Sequence, residues 1–281
     1  MQDDVVISSA GVAMPRLIYG TAWKKQRTAE WVALALEQGF RGIDTACQPK
    51  HYYEPGVGEA LHGAFELGLG REQIYLQTKF TPLSGQDPQQ VPYDPQAALD
   101  QQVVQSFKKS LDNLHTDYLD GLVLHSPLAD RQQLMTVWRA MEAIALSGGA
   151  RQLGISNCYD PVVFKSLYEA ATVKPAVLQN RFYADTHYDI ELRKFCRAHN
   201  VIYQSFWTLT ANPGILANAV IVELADRYRR TPAQILFRYL TQIGVVPLTG
   251  TTSAQHMRED LAIFVFELTQ DECAGIDRLL G

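Results

Sequence analysis

The sequence predicts a closed (β/α)8 barrel with a short N-terminal β-hairpin cap, spanning residues 1–281 as a single domain. Three observations carry that expectation: eight short apolar runs, helical stripes alternating with them, and no linker-like tract between any two. An open α/β sheet is the alternative reading of the same alternation.

The chain starts with an apolar run at Val5–Ile7 and a turn at Ser8-Ser9-Ala10-Gly11, which suit the first half of a hairpin. Barrel strands are then expected at Leu17–Tyr19, Gly42–Asp44, Ile74–Thr78, Leu119–Leu124, Gln152–Ser156, Ala176–Gln179, Val201–Phe206 and Gly244–Leu248. Between the first two, Trp31, Leu34 and Ala35 share one helical face that stops at Gln38-Gly39. Val103, Phe107, Ser110, Leu111 and Leu114 form a second stripe. Further helices are expected over 56–67, 131–146, 161–170, 188–198, 214–228, 232–241 and 269–280. Their start signals are Pro161, Pro232 and a capping box from Thr269 to Glu272. The proline- and glycine-rich stretches 81–95 and 211–214 read as loops within the domain.

Composition narrows the function. Of 281 residues, 47% are hydrophobic, 20% charged and 10% aromatic, the profile of a soluble globular protein. With 25 Lys plus Arg against 30 Asp plus Glu, the formal charge of -5 supplies no attraction for nucleic acid or an anionic membrane. Neither partner is expected. The acidic start, Met1-Gln2-Asp3-Asp4, is unlike a signal peptide, and Cys47, Cys158, Cys196 and Cys273 have no zinc spacing. A reducing, cytoplasmic setting and no metal site are the expectations.

Polar residues recur where strands end, which is where barrels of this kind build their sites. Asp44-Thr45, Lys79, His125-Ser126, Ser156-Asn157, Gln179-Asn180 and Ser205-Phe206 close successive strands. A carboxylate, an ammonium and an imidazole could surround an ionisable hydroxyl. An adjacent ammonium would favour a phenolate and lower the phenol's pKa. Tyr52 and Tyr53, after the second strand, are the candidate phenols. Gly56-Val57-Gly58 starts a helix rather than a dinucleotide fingerprint, because the next glycine, Gly63, comes too late. Walker, GxSxG and HExxH motifs are absent, and only Asp44 is placed for a glycosidase carboxylate.

These residues resemble the aldo-keto reductase family. The likeness is carried by Gly39-Phe40-Arg41-Gly42-Ile43-Asp44-Thr45-Ala46, Val57-Gly58-Glu59-Ala60-Leu61, Tyr75-Leu76-Gln77-Thr78-Lys79, Leu124-His125-Ser126-Pro127 and Leu153-Gly154-Ile155-Ser156-Asn157, in the family's order. It extends from Gly11-Val12-Ala13-Met14-Pro15 and Gly20-Thr21-Ala22-Trp23-Lys24 to Phe266-Glu267-Leu268-Thr269. It implies NAD(P)H-dependent reduction of an aldehyde or ketone. In that scheme Asp44 supports, Lys79 perturbs the acid, His125 orients the carbonyl, and a tyrosine gives the proton. Ser156, Asn157 and Gln179 would hold the nicotinamide carboxamide, Phe206 would stack on its ring, and Leu209 would follow along the cofactor.

The chain departs from the family pattern in three places. The position five residues after Asp44 is Pro49, so the acid's register shifts to Tyr52, with Tyr53 the other possibility. At the adenosine end, Leu248 and His256 stand where the family has a lysine and an arginine. Thr249, Thr251, Thr252, His256 and Asp260 are left as contacts, with NADPH expected and NADH left open. The loop after Pro127 is short, and Trp23, Tyr53, Phe80 and Trp207 are the expected substrate walls, with residues 84–95 as partial cover. A mouth this open suits a bulky carbonyl on a monomer or weak homo-oligomer. Other readings on the same fold are an enzyme working mainly in the alcohol-oxidising direction and a cofactor-binding regulatory subunit.

Overall fold

The computed structural model describes residues 4–280. Strands β1 (Val5–Ile7) and β2 (Ala13–Pro15) pair antiparallel, Val5 opposite Pro15. Eight parallel strands then close on themselves: β3 (Ile18–Gly20), β4 (Gly42–Asp44), β5 (Tyr75–Phe80), β6 (Gly121–Leu124), β7 (Leu153–Ser156), β8 (Val177–Arg181), β9 (Ile202–Phe206) and β10 (Val245–Thr249), with β10 returning to β3. All eight expected barrel strands are present, within a few residues of their expected limits. Closure excludes the open sheet.

Helices α1 (Thr28–Gln38), α2 (Glu54–Glu66), α3 (Leu99–Leu114), α4 (Arg131–Leu146), α5 (Pro161–Ala170) and α6 (Ile190–Ala198) follow β3 to β8 in turn. Gly39 ends α1 at φ 111°, a left-handed turn open to glycine without strain. The expected helix over 214–228 is divided into α7 (Pro213–Leu216) and α8 (Ala219–Tyr228). The Asn218 side chain accepts from the Val220 N–H and caps the second piece instead of continuing the first. α9 (Pro232–Gln242) and α11 (Gln270–Asp277) open on capping boxes at Thr231/Gln234 and Thr269/Glu272. Ser253 caps the short α10 (Ala254–Leu261).

Strand parity divides the barrel. On β5, Leu76 and Phe80 face outward into the main core beneath the helices, while Tyr75, Gln77 and Lys79 face the axis. A second apolar cluster of Met14, Ile18, Tyr75, Val177, Ile202 and Val246 fills the N-terminal end, so β2 plugs the barrel floor. Above it the axis is polar rather than packed with branched side chains: Gln77, Gln179, Gln204, Asp44 and Lys79 are all buried there. None of the described helices is long and apolar enough to cross a membrane.

The fit between α2 and α3 depends on Gly58, where a Cβ would lie 2.1 Å from the Asn113 carbonyl oxygen. Gly58→Ala is expected to destabilise the protein by about 1–3 kcal/mol. On the same helix, Gly63 has nothing within 4 Å of that position. Gly63→Ala should stabilise by roughly 0.5–1 kcal/mol through helix propensity. Opposite shifts in urea midpoint check the pair.

Candidate active site

The C-terminal ends of the strands converge on a buried ion pair. Lys79 Nζ lies 2.7 and 2.6 Å from the two Asp44 carboxylate oxygens and 2.9 Å from the Thr45 carbonyl oxygen. The two side chains are 1% and 4% exposed. Burial pulls the Lys79 pKa down, opposed by Asp44 and more distantly by Glu54. Gln77 and Gln179 each donate an amide N–H to Asp44 Oδ1, at 2.6 and 3.0 Å, giving the carboxylate the donors that water would otherwise supply.

Tyr52 and His125 complete the cluster. The Lys79 ammonium lies over the Tyr52 ring, 5.2 Å from its centroid, and the His125 ring stands edge-on to Tyr52 at 5.9 Å. The expected lowering of the phenol's pKa is not what this geometry produces. Burial pushes the Tyr52 phenol up and Asp44 adds to it, so the group keeps its proton at neutral pH. His125 is driven well below its ordinary value by burial, then by Lys79 and His51, and is a neutral imidazole. Its Nδ1 is 2.6 Å from Thr81 Oγ1, and Tyr93 Oη donates to the Thr81 carbonyl oxygen at 2.8 Å.

A cavity of about 830 Å³ starts at this cluster and runs across the barrel mouth. Near the chemistry it is lined by Trp23, Gln48, His51, Tyr52, Thr81, His125, Ser156, Asn157, Gln179 and Phe206, and it continues past Trp207 and Leu209 to Thr249, Thr251, His256 and Asp260. Asn157, Trp23 and Trp207 hold φ of 52°, 65° and 56°, left-handed conformations that cost energy in non-glycine residues and gather at sites. The Trp23 ring lies 4.0 Å from that of His51.

The structure therefore assembles most of the expected residues, with three corrections. Phe80 has the outward parity of its strand; it is 1% exposed in the main core, 5.7 Å from Tyr93, and is no substrate wall. Tyr53 precedes α2 as its N-cap, is 40% exposed and does not line the cavity; its ring lies over Gly56, where a Cβ would meet it at 2.9 Å. Thr252 is exposed and turned away from the cavity. Of the expected cover at 84–95, only Gly85 reaches the cavity, tied to Gln48 Nε2 by its carbonyl oxygen at 2.7 Å.

Other contributors were overlooked. Lys24 donates to the Gly250 carbonyl oxygen at 2.7 Å, and burial pushes its pKa down to about 8. It places a cation beside the segment that lacks Leu248's and His256's expected charges. It lay inside the quoted Gly20-to-Lys24 stretch but had no strand-end position to mark it. Thr81 and Gln48 gave no signal, being uncharged loop residues. At the far end Thr249 Oγ1 donates to Asp260 at 2.7 Å, and burial raises that carboxyl to about 7.

A buried acid–lysine pair, a phenol and an imidazole thus meet at the strand ends of an eight-stranded barrel, an arrangement compatible with a barrel oxidoreductase. The profile of the Aldo/keto reductase family matches residues 16–280, and the chain belongs to that family. It is 30% identical over 278 residues to the glyoxal reductase of Bacillus subtilis, covering 98% of this chain and 92% of that protein. It is 29% identical over 274 residues to the 9,11-endoperoxide prostaglandin H2 reductase of Trypanosoma cruzi, covering 95% and 88%. Among solved structures, the aldo/keto reductase of Brucella melitensis superposes with a TM-score of 0.82 at 25% identity, covering 98% of both chains.

Proposed function

We propose that the protein reduces an aldehyde or ketone to an alcohol with NADPH or NADH, Tyr52 giving the proton. The observation that carries this reading is the continuity of one cavity of about 830 Å³ from the Tyr52–His125 cluster to the Thr249–Asp260 segment. The residues present suit such a cofactor. Ser156, Asn157 and Gln179 offer amide and hydroxyl groups at one end, Phe206 offers a ring, and Gln48 Oε1 is a buried acceptor with no partner among the described residues. When bound, the dinucleotide supplies hydride from nicotinamide C4 to the carbonyl carbon.

The chain's own residues handle the oxygen. A Thr81 hydroxyl donating into His125 Nδ1 leaves the ring proton on Nε2, aimed as a donor for the carbonyl oxygen. Tyr52 holds its proton at neutral pH and transfers it from Oη as negative charge develops on that oxygen. The Lys79 cation over its ring stabilises the resulting phenolate. Asp44 fixes the lysine at that depth. Asn157 Nδ2 donates to the His125 carbonyl oxygen at 2.9 Å, linking the carboxamide end to the oxygen-binding end. Trp23, His51 and Trp207 wall the open mouth, and a cavity this open to solvent supports carbonyl substrates of varied size.

Titrating the purified protein with NADPH and NADH, followed by turnover on aliphatic and aromatic aldehydes, tests the reading. Binding of at least one dinucleotide and turnover of several aldehydes is expected. Failure to bind either would overturn it.

Lys24 gives the binding a pH signature. Burial favours its neutral form, whereas a neighbouring pyrophosphate favours the ammonium, so binding takes up a proton above pH 8. Affinity for NADH, whose charge is constant over this range, should weaken by roughly tenfold from pH 7 to 9.5. Lys24→Met should bind more weakly at pH 7, with a shallower profile in which Asp260 is the remaining titrating group; a pH-independent wild type contradicts this role.

A further inference from the structure

Resting on the reductase reading, we propose that Arg181 is the anion-recognising residue of this cavity, taking the carboxylate or phosphate oxygens of a bound ligand in its guanidinium fork. Arg181 closes β8 two residues beyond Gln179, on the same axis-facing parity and roughly 6–7 Å further out. It pairs in register with Phe206, the ring at the end of β9, and both line the cavity. An anion held there lies one layer above the carboxamide-binding groups and within reach of a ligand that occupies them.

The side chain rests against two aromatic rings. Its guanidinium carbon lies 4.3 Å from the Trp207 ring centroid and 5.2 Å from that of Tyr183. Contact with aromatic rings restricts a guanidinium without using its N–H donors, which suits recognition of an oxyanion. Among the described residues no carboxylate pairs with it, and its Nε is buried without a hydrogen-bond partner. Carboxylates that line the cavity are committed elsewhere: Asp44 to Lys79, Asp260 to Thr249, and Glu259 to Gln255. By contrast, Arg71 and Arg151 share the Asp120 carboxylate. A half-buried cation with no carboxylate partner among the described residues, lining a binding cavity, favours an anionic ligand there. Trp207, on which it rests, holds a left-handed φ of 56°.

Two sources can supply the anion: the pyrophosphate of the dinucleotide, or a carboxylate on the carbonyl substrate. Arg181→Gln and Arg181→Lys distinguish them. Tryptophan fluorescence of the unliganded protein is titrated with inorganic pyrophosphate and with benzoate, then with NADH and NADPH. Turnover is compared on 4-carboxybenzaldehyde and benzaldehyde.

If the anion is the substrate's, Arg181→Gln lowers the kcat/KM ratio of the carboxylated to the neutral aldehyde by roughly 10- to 100-fold and loses benzoate binding, with Arg181→Lys recovering part of both. If it is the cofactor's, pyrophosphate, NADH and NADPH all weaken by that factor and the aldehyde ratio holds. Unchanged affinities for all four ligands, with either an unchanged ratio or an equal loss on both aldehydes, would overturn the assignment. A wild type that binds pyrophosphate or benzoate through Arg181 yet turns over no aldehyde would count against the reductase reading alone.

Discussion

The site is organised around one buried ion pair, Asp44–Lys79, placed where a barrel interior is usually apolar. Taking two charges out of water costs several kcal/mol each unless the geometry is close and the remaining lone pairs are met. Here both conditions hold: Lys79 reaches both Asp44 oxygens and the Thr45 carbonyl, while Gln77 and Gln179 donate to Asp44. Removing one partner alone would strand the other. Burial keeps the Tyr52 phenol protonated and the His125 imidazole neutral, and the pair reinforces both, Asp44 acting on the phenol and Lys79 on the imidazole.

The pair is also the top of a polar column. Gln77 and Gln204 exchange amide hydrogen bonds at 2.8 and 2.9 Å, Tyr75 Oη donates to Gln77, Gln152 donates to Tyr75, and Ser8 donates to Gln152. The column runs from the turn between β1 and β2 to the chemistry at the opposite end. Each member satisfies its neighbour, so the orientation of Asp44 depends on side chains from β5, β8 and β9 together with Gln152, just ahead of β7. The cap is therefore connected to the site by hydrogen bonds as well as by Met14 packing.

Much of this was legible because barrel geometry converts sequence position into site position. A polar residue ending an apolar run falls at the mouth, which located Asp44, Lys79, His125, Ser156, Gln179 and Phe206 without reference to distance. Parity was the unused half of the same rule. Phe80 follows Lys79 by one residue and must face the helices, whereas Arg181 follows Gln179 by two and must face the axis. Tyr52 and Tyr53 were not separable this way, because their loop has no period; the turn into α2, with Glu54 buried against Thr78, Ser110 and Asn113, is what points Tyr52 inward and Tyr53 out. The direction of the phenol's pKa was misjudged because desolvation, which outweighs the nearby ammonium, depends on burial that no short motif records.

Tyr52, its ring against the Asp44-anchored lysine, is the proposed proton donor. Comparing Tyr52→Phe with Tyr53→Phe tests it most directly, by aldehyde turnover alongside dinucleotide affinity. Tyr52→Phe is expected to lose roughly 10²-fold or more in turnover while its affinity for dinucleotide stays near that of the wild type, and Tyr53→Phe is expected to remain active. Near-full activity of Tyr52→Phe would contradict it.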